Sequence, residues 1–136
     1  MAIFIKLRQN KMRKDNTYDK WFAHVVGKGE VSTGELASII ERNTTFKRGE
    51  IKGLITELVS EMKHQLADGK TVVLDDFGRF HLTVESDGAE SRSMFNVQRN
   101  IKAIKCKFRA AGIRDPHKHT ITEVFGEGVD VKKEEE

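Results

Sequence analysis

Lys105, Lys107 and Arg109 stand two residues apart, with Cys106 and Phe108 between them and Ile104 just before. In an extended strand that spacing puts three cations on one face and three apolar side chains on the other. Such a row suits contact with the phosphate oxygens of an anionic polymer, because Lys and Arg displace the counterions condensed along it. Arg79 lies in an earlier apolar stretch and can converge on the same phosphates, while Arg92, Arg99 and Lys102 fall in and beside the polar segment 85–100. The competing reading of each is an ordinary solvated strand charge, which also discourages edge-to-edge aggregation.

Other chemistries find less support. His117-Lys118-His119 is half a metal site with no Cys or carboxylate cluster at a completing distance, and reads as solvated loop histidines. Asp75 and Asp76 are adjacent, so their carboxylates point apart, and a turn favours Asp anyway. Cys106 alternates with apolar neighbours and reads as a small core residue. A glycine-rich phosphate loop and a serine-nucleophile elbow are both missing. The expectation is a binding protein, not an enzyme, with no metal, cofactor or small-molecule substrate.

At 136 residues and 38% hydrophobic, the chain is expected to hold one main domain with a short appendage. Its net charge of +3 is modest but unevenly placed. Residues 1–30 carry seven cations against three acids, 101–119 six against one, and 120–136 two against six, ending Glu134-Glu135-Glu136. Basic segments beside an acidic tail accompany nucleic-acid binding, although a solvated surface gives the same statistic. The longest apolar runs fall short of the roughly 18 residues of a membrane span, and the brief apolar start differs from a secretory signal. A lone cysteine, with no disulfide partner, suits a reducing compartment. The expected location is cytoplasmic.

The elements that must hold these cations follow from periodicity. Residues 2–7 alternate as a strand, 9–16 form a basic polar loop, and 18–26 alternate again before a Gly27-Lys28-Gly29 turn. Ser32 or Thr33 can cap a helix over 34–42 with Glu35 in its first turn, and Thr44 or Thr45 can cap a second over 47–68. Ile51, Leu54, Ile55, Leu58, Val59, Met62 and Leu66 form the second helix's stripe. Gly69 suits a left-handed cap. Strands then follow at 71–74 and 77–84, the latter bent at Gly78, and at 101–109.

In this frame Gly69, Val72, Leu74, Phe77, Gly78 and Phe80 spell G-x-x-V-x-L-x-x-F-G-x-F within GKTVVLDDFGRF. That segment resembles the HU/IHF family of small dimeric DNA-bending proteins, and the spacing from Phe77 to Phe108 is also close to the family's. The resemblance covers about 31–114, and the first 30 residues extend beyond it as in the longer HU-related proteins of the Bacteroides group. It implies an α+β, IHF-like DNA-binding fold: an N-terminal helical hairpin, a three-stranded antiparallel sheet with a protruding β-arm, and an intertwined dimer. It further implies nucleoid-associated, largely sequence-independent binding, bending and condensation of double-stranded DNA by a homodimer. Arg79, Arg92, Arg99, Lys102, Lys105, Lys107 and Arg109 would be its DNA contacts.

The arm departs from the family pattern. Thr83, Glu85, Asp87 and Glu90 stand where the family has Arg and Lys, and the sole proline is Pro116, far from any arm tip. Met94 and Phe95 are the apolar wedge candidates, with burial against a partner subunit as the alternative. An HU-like interaction module that has lost strong DNA binding is therefore the second functional reading. The expected boundaries are an N-terminal extension at 1–30, an HU-like domain at 31–115 and a C-terminal segment with an acidic tail at 116–136. Strand addition to a sheet edge is favoured for the extension over a DNA-contacting basic arm formed by Lys6, Arg8, Lys11, Arg13 and Lys14.

Overall fold

The computed structural model describes residues 1–13, 16–114, 116–117 and 121–135. In chain order the elements are β1 (Ala2–Gln9), β2 (Trp21–Val25), α1 (Thr33–Asn43), α2 (Arg48–Ala67), β3 (Val72–Leu74), β4 (Gly78–Ser86), α3 (Val97–Asn100), β5 (Ile101–Ala110), β6 (Gly112–Arg114), β7 (Ile121–Glu123) and β8 (Asp130–Lys133). This is a mixed α+β chain. It divides into two compact units, Met1–Val31 with Gly126–Glu136, and Ser32–Phe125. Residues beyond 115, grouped above as one C-terminal segment, are shared between these units.

In the first unit β1 is the central strand, antiparallel to β2 and parallel to β8. Two expectations change here. The sheet content is partly parallel, and the N-terminal strand builds its own sheet instead of extending β3–β4–β5. The strand pattern of the acidic end is masked by charge: Val129 and Val131 alternate with Asp130 and Lys132, which matches the pleat of β1.

In the second unit, α1 begins with a reciprocal capping box. The Glu35 N–H donates to Ser32 Oγ at 3.2 Å, and the Ser32 N–H donates to Glu35 Oε2 at 2.7 Å. The Ser32 backbone N–H first, and the Ser32 side chain second, hold the Glu35 carboxyl below the usual carboxylate range. Because its folded pKa is depressed, this stabilisation is complete above the unfolded value and is lost as pH falls through the folded one. Ser32→Ala should lower Tm by about 4–8 °C at neutral pH. The acid limb of a Tm-versus-pH series followed by circular dichroism should flatten only in part, because the Ser32 backbone N–H, the larger cause of the shift, remains.

The expected threonine cap of α2 is not formed. Lys47 occupies the N-cap, and its N–H donates to Glu50 Oε2 at 3.0 Å. Thr44 instead closes α1, its hydroxyl donating to the Ile40 carbonyl at 2.8 Å. At the other end of α2, Gly69 takes φ 82°. The Gly69 N–H reaches the Leu66 carbonyl and the Lys70 N–H reaches Gln65, the two bonds of a Schellman cap.

Strands β3, β4 and β5 form an antiparallel sheet. The turn before β4 is closed by the Phe77 N–H on the Leu74 carbonyl, with Asp76 in left-handed backbone at φ 58°. Gly78 bends the chain so that Phe77 and Phe80 lie on one side with Phe108. The ring centroids are 5.5 Å apart for Phe77–Phe108 and 4.8 Å for Phe80–Phe108. Phe125 adds an edge-on contact to Phe77 at 5.3 Å.

Among the described residues the buried hydrophobics are few: Ala37, Ile51 and Leu66. Leu54, Val84 and Ile104 are 71%, 62% and 69% exposed. Cys106, expected in the core, is also exposed; its strand face is apolar but uncovered. Among the described residues no helix is long and apolar enough to cross a membrane.

The β4–β5 ladder stops short of residues 87–100. Ladder pairing between β4 and β5 ends at Ser86 and Ile101, after a register shift at Glu85/Ser86. Residues 87–100 close locally instead, with an Asp87 N–H to Asn100 carbonyl bond of 2.8 Å, a 3-10 turn at Arg92–Met94 and the one-turn α3. Asn96 Oδ1 accepts the Gln98 and Arg99 N–H groups, and Asn100 Oδ1 accepts that of Asn96. Asn side chains that satisfy nearby backbone groups compete with a ladder, and here they win.

Candidate nucleic-acid interface

Strand register decides which side chains meet. Arg79 lies directly opposite Arg109, His81 opposite Lys107, and Thr83 opposite Lys105. All six share one face, because Phe80–Phe108, Leu82–Cys106 and Val84–Ile104 occupy the other. Directly opposed like charges destabilise an antiparallel pair. Arg79 and Arg109 form such a pair, and an anion lying over them relieves its cost.

Of the cations named from sequence, Arg79, Lys105, Lys107 and Arg109 are brought together on this face. Lys105 is ion-paired to Glu85, and Lys102 to Asp87 at 2.8 Å. Both pairs are about half exposed and contribute little to stability, but they lower the local positive charge. Arg79, Lys107 and Arg109 make no ion pair among the described residues. Where the face meets the β3–β4 turn, a cleft of about 400 Å³ is lined by Arg79 and Arg109 together with Asp75 and Asp76. Charge is balanced in the cleft and positive along the strands beyond it.

Arg92 and Arg99 sit elsewhere, on the 3-10 turn and on α3, separate from the strand row. Met94 and Phe95 are 59% and 40% exposed beside them. Lys118 and His119 of the histidine pair lie outside the described residues. His81 and Thr83 are members of the polar face that the sequence reading passed over. Their signal was parity: both stand at even spacing from Arg79 within GRFHLTV.

Residues 1–114 match the model of the HU-HIG family, described as an HU domain fused to wHTH, Ig, or glycine-rich motif. The chain belongs to this family. The HU-HIG match takes in every basic residue placed on the β4–β5 face and the whole of β1 and β2. A crystal structure from Bacteroides vulgatus ATCC 8482, described as a candidate bacterial DNA-binding protein, superposes with a TM-score of 0.61 at 13% identity. The alignment covers 98% of this chain and 49% of that one, so the chain spans about half of that protein's length. At this identity the likeness is one of fold. None of the curated proteins matches the chain.

Proposed function

We propose that this HU-HIG chain binds double-stranded DNA with little regard to sequence, as a homodimer, in an architectural nucleoid role within the cytoplasm. The observation that carries this is the like-charge opposition of Arg79 and Arg109, with Lys107 two residues along, on one open strand face. Phosphate contact at that face converts a cost of the sheet into affinity. Bending is weaker than in a proline-tipped homologue, because residues 87–100 contain no proline and fold on themselves. Binding and not catalysis is the activity assigned.

The homodimer rests on uncovered apolar surface. The chain exposes 12124 Å². A compact protein of this mass exposes roughly 7,000–9,000 Å², whether counted as one unit or two. The excess is larger than the roughly 1,000–2,500 Å² per partner that obligate dimers commonly bury, so a dimer interface accounts for part of it, and exposed Leu54, Leu58, Val59, Val84 and Ile104 lie on elements of the second unit.

A second reading has its own observation. Glu85 and Asp87 neutralise Lys105 and Lys102, as expected of an HU-like interaction module that has given up strong DNA binding. A short fluorescent duplex, titrated at several salt concentrations with mass followed by light scattering, separates the two. Duplex binding predicts a mass of twice 15.5 kDa and micromolar or tighter affinity that falls steeply with salt. A stable dimer that ignores the duplex at low salt supports the interaction module instead.

A further inference from the structure

The first unit carries a basic and aromatic face of its own. Register in the β2–β1–β8 sheet places Arg8 opposite Phe22, Lys6 opposite His24, and Phe4 beside Lys132. These six side chains share one face, while Ile3, Ile5, Leu7, Trp21, Ala23, Val25 and Val131 take the other. Both faces are open, the apolar one included, with Trp21, Val25 and Val131 about 60% exposed. Phe22 is 43% exposed, and His24, Lys6, Arg8 and Lys132 are exposed as well. Lys28 adds a further cation, its Nζ 4.8 Å from the centre of the Phe4 ring.

Lys6, Arg8 and Lys132 make no ion pair among the described residues. Two carboxylates approach this face along β8: Asp130 lies beside Ala2, and Glu134, with its N–H on the Ile5 carbonyl, comes beside Lys6. On the far side of β1 two flat rings, Phe22 and His24, stand two residues apart on β2, about 7 Å along the strand. Two cations at the same spacing flank them on β1. Rings on a sheet beside a track of cations receive unstacked bases and their phosphates, whereas duplex DNA hides its base faces from any sheet.

We propose that this face of the first unit binds single-stranded nucleic acid, with Phe22 and His24 stacking on bases and Lys6, Arg8 and Lys132 holding phosphates. It is independent of the duplex site on β4–β5. The test uses the full chain, a labelled oligothymidylate of about 15 nucleotides and a labelled hairpin duplex, by anisotropy at low salt. Phe22→Ala should weaken oligothymidylate binding about tenfold and leave duplex binding unchanged, and Phe22→Trp should restore it. Lys6→Glu with Arg8→Glu should weaken the oligomer and flatten its salt dependence, a readout that stands even where Phe22→Ala fails to fold. Lys107→Glu with Arg109→Glu should weaken only the duplex. Absence of oligothymidylate binding by the native chain overturns the proposal, as does equal binding by the folded Phe22→Ala and Lys6→Glu/Arg8→Glu variants. A native chain that binds the oligomer through these residues but not the duplex leaves this proposal standing and removes the β4–β5 one.

Discussion

Replacing Arg79 and Arg109 together with glutamate is expected to weaken duplex binding by at least about 100-fold while the dimer mass is unchanged. The two arginines lie opposite each other across β4 and β5 and make no ion pair among the described residues, so each repels the other, a repulsion moderated by Asp75 and Asp76 in the same cleft. A phosphate seated between them gains two charge-assisted hydrogen bonds and relieves that repulsion. Loss of both cations should also flatten the salt dependence by about two phosphate contacts per chain. The double lysine change, Lys105→Glu with Lys107→Glu, should be milder than its charge count implies, because Lys105 is already spent on Glu85. Fluorescence anisotropy across a salt series reads both outcomes. Equal losses from the two double variants would mean that the Lys105–Glu85 pair opens on binding. Retained native affinity in Arg79→Glu/Arg109→Glu would remove this face as the site.

Gly78→Ala should be the most damaging single substitution in the second unit. A Cβ there would lie 2.6 Å from Cε2 of the Phe108 ring and closer still to the Arg109 carbonyl oxygen. Neither can yield cheaply: the carbonyl is strand backbone, and the ring is packed against Phe77 and Phe80. Gly78 also sits at φ 153°, which L side chains rarely adopt. Overpacking with backbone strain costs about 3 kcal/mol, and for a unit of this size Tm should fall by roughly 12–24 °C. Thermal unfolding followed by circular dichroism measures it. A fall below about 4 °C would show that the β4–β5 crossing relaxes around a methyl group.

Much of this was visible in the chain before folding, wherever the physical demand is local. Gly69 closes α2 because the left-handed cap needs no Cβ, and Ser32 with Glu35 caps α1 because three residues of spacing suffice. The parity of Lys105, Lys107 and Arg109 follows from the pleat alone. Gly78, with Phe77, Phe80 and Phe108, marked the bend and the aromatic cluster on which the HU resemblance rested.

What the sequence could not show depends on partners distant along the chain or on competition between near-equal alternatives. Residues 87–100 had no strong preference, and the Asn96 and Asn100 side chains closed them into a compact loop where a ribbon was expected. The pairing of β8 with β1 joins the two ends of the chain, and its alternation was hidden under acidic residues. The same holds for the neutralisation of Lys105: Glu85 lies twenty positions earlier and meets it only through the β4–β5 register. The sequence by itself determined the capping box of α1, the Gly69 cap of α2, the parity of the strand faces and the HU-like resemblance. Tertiary structure alone decided which cations oppose one another and which are already paired, because charge interaction depends on distances that only register sets.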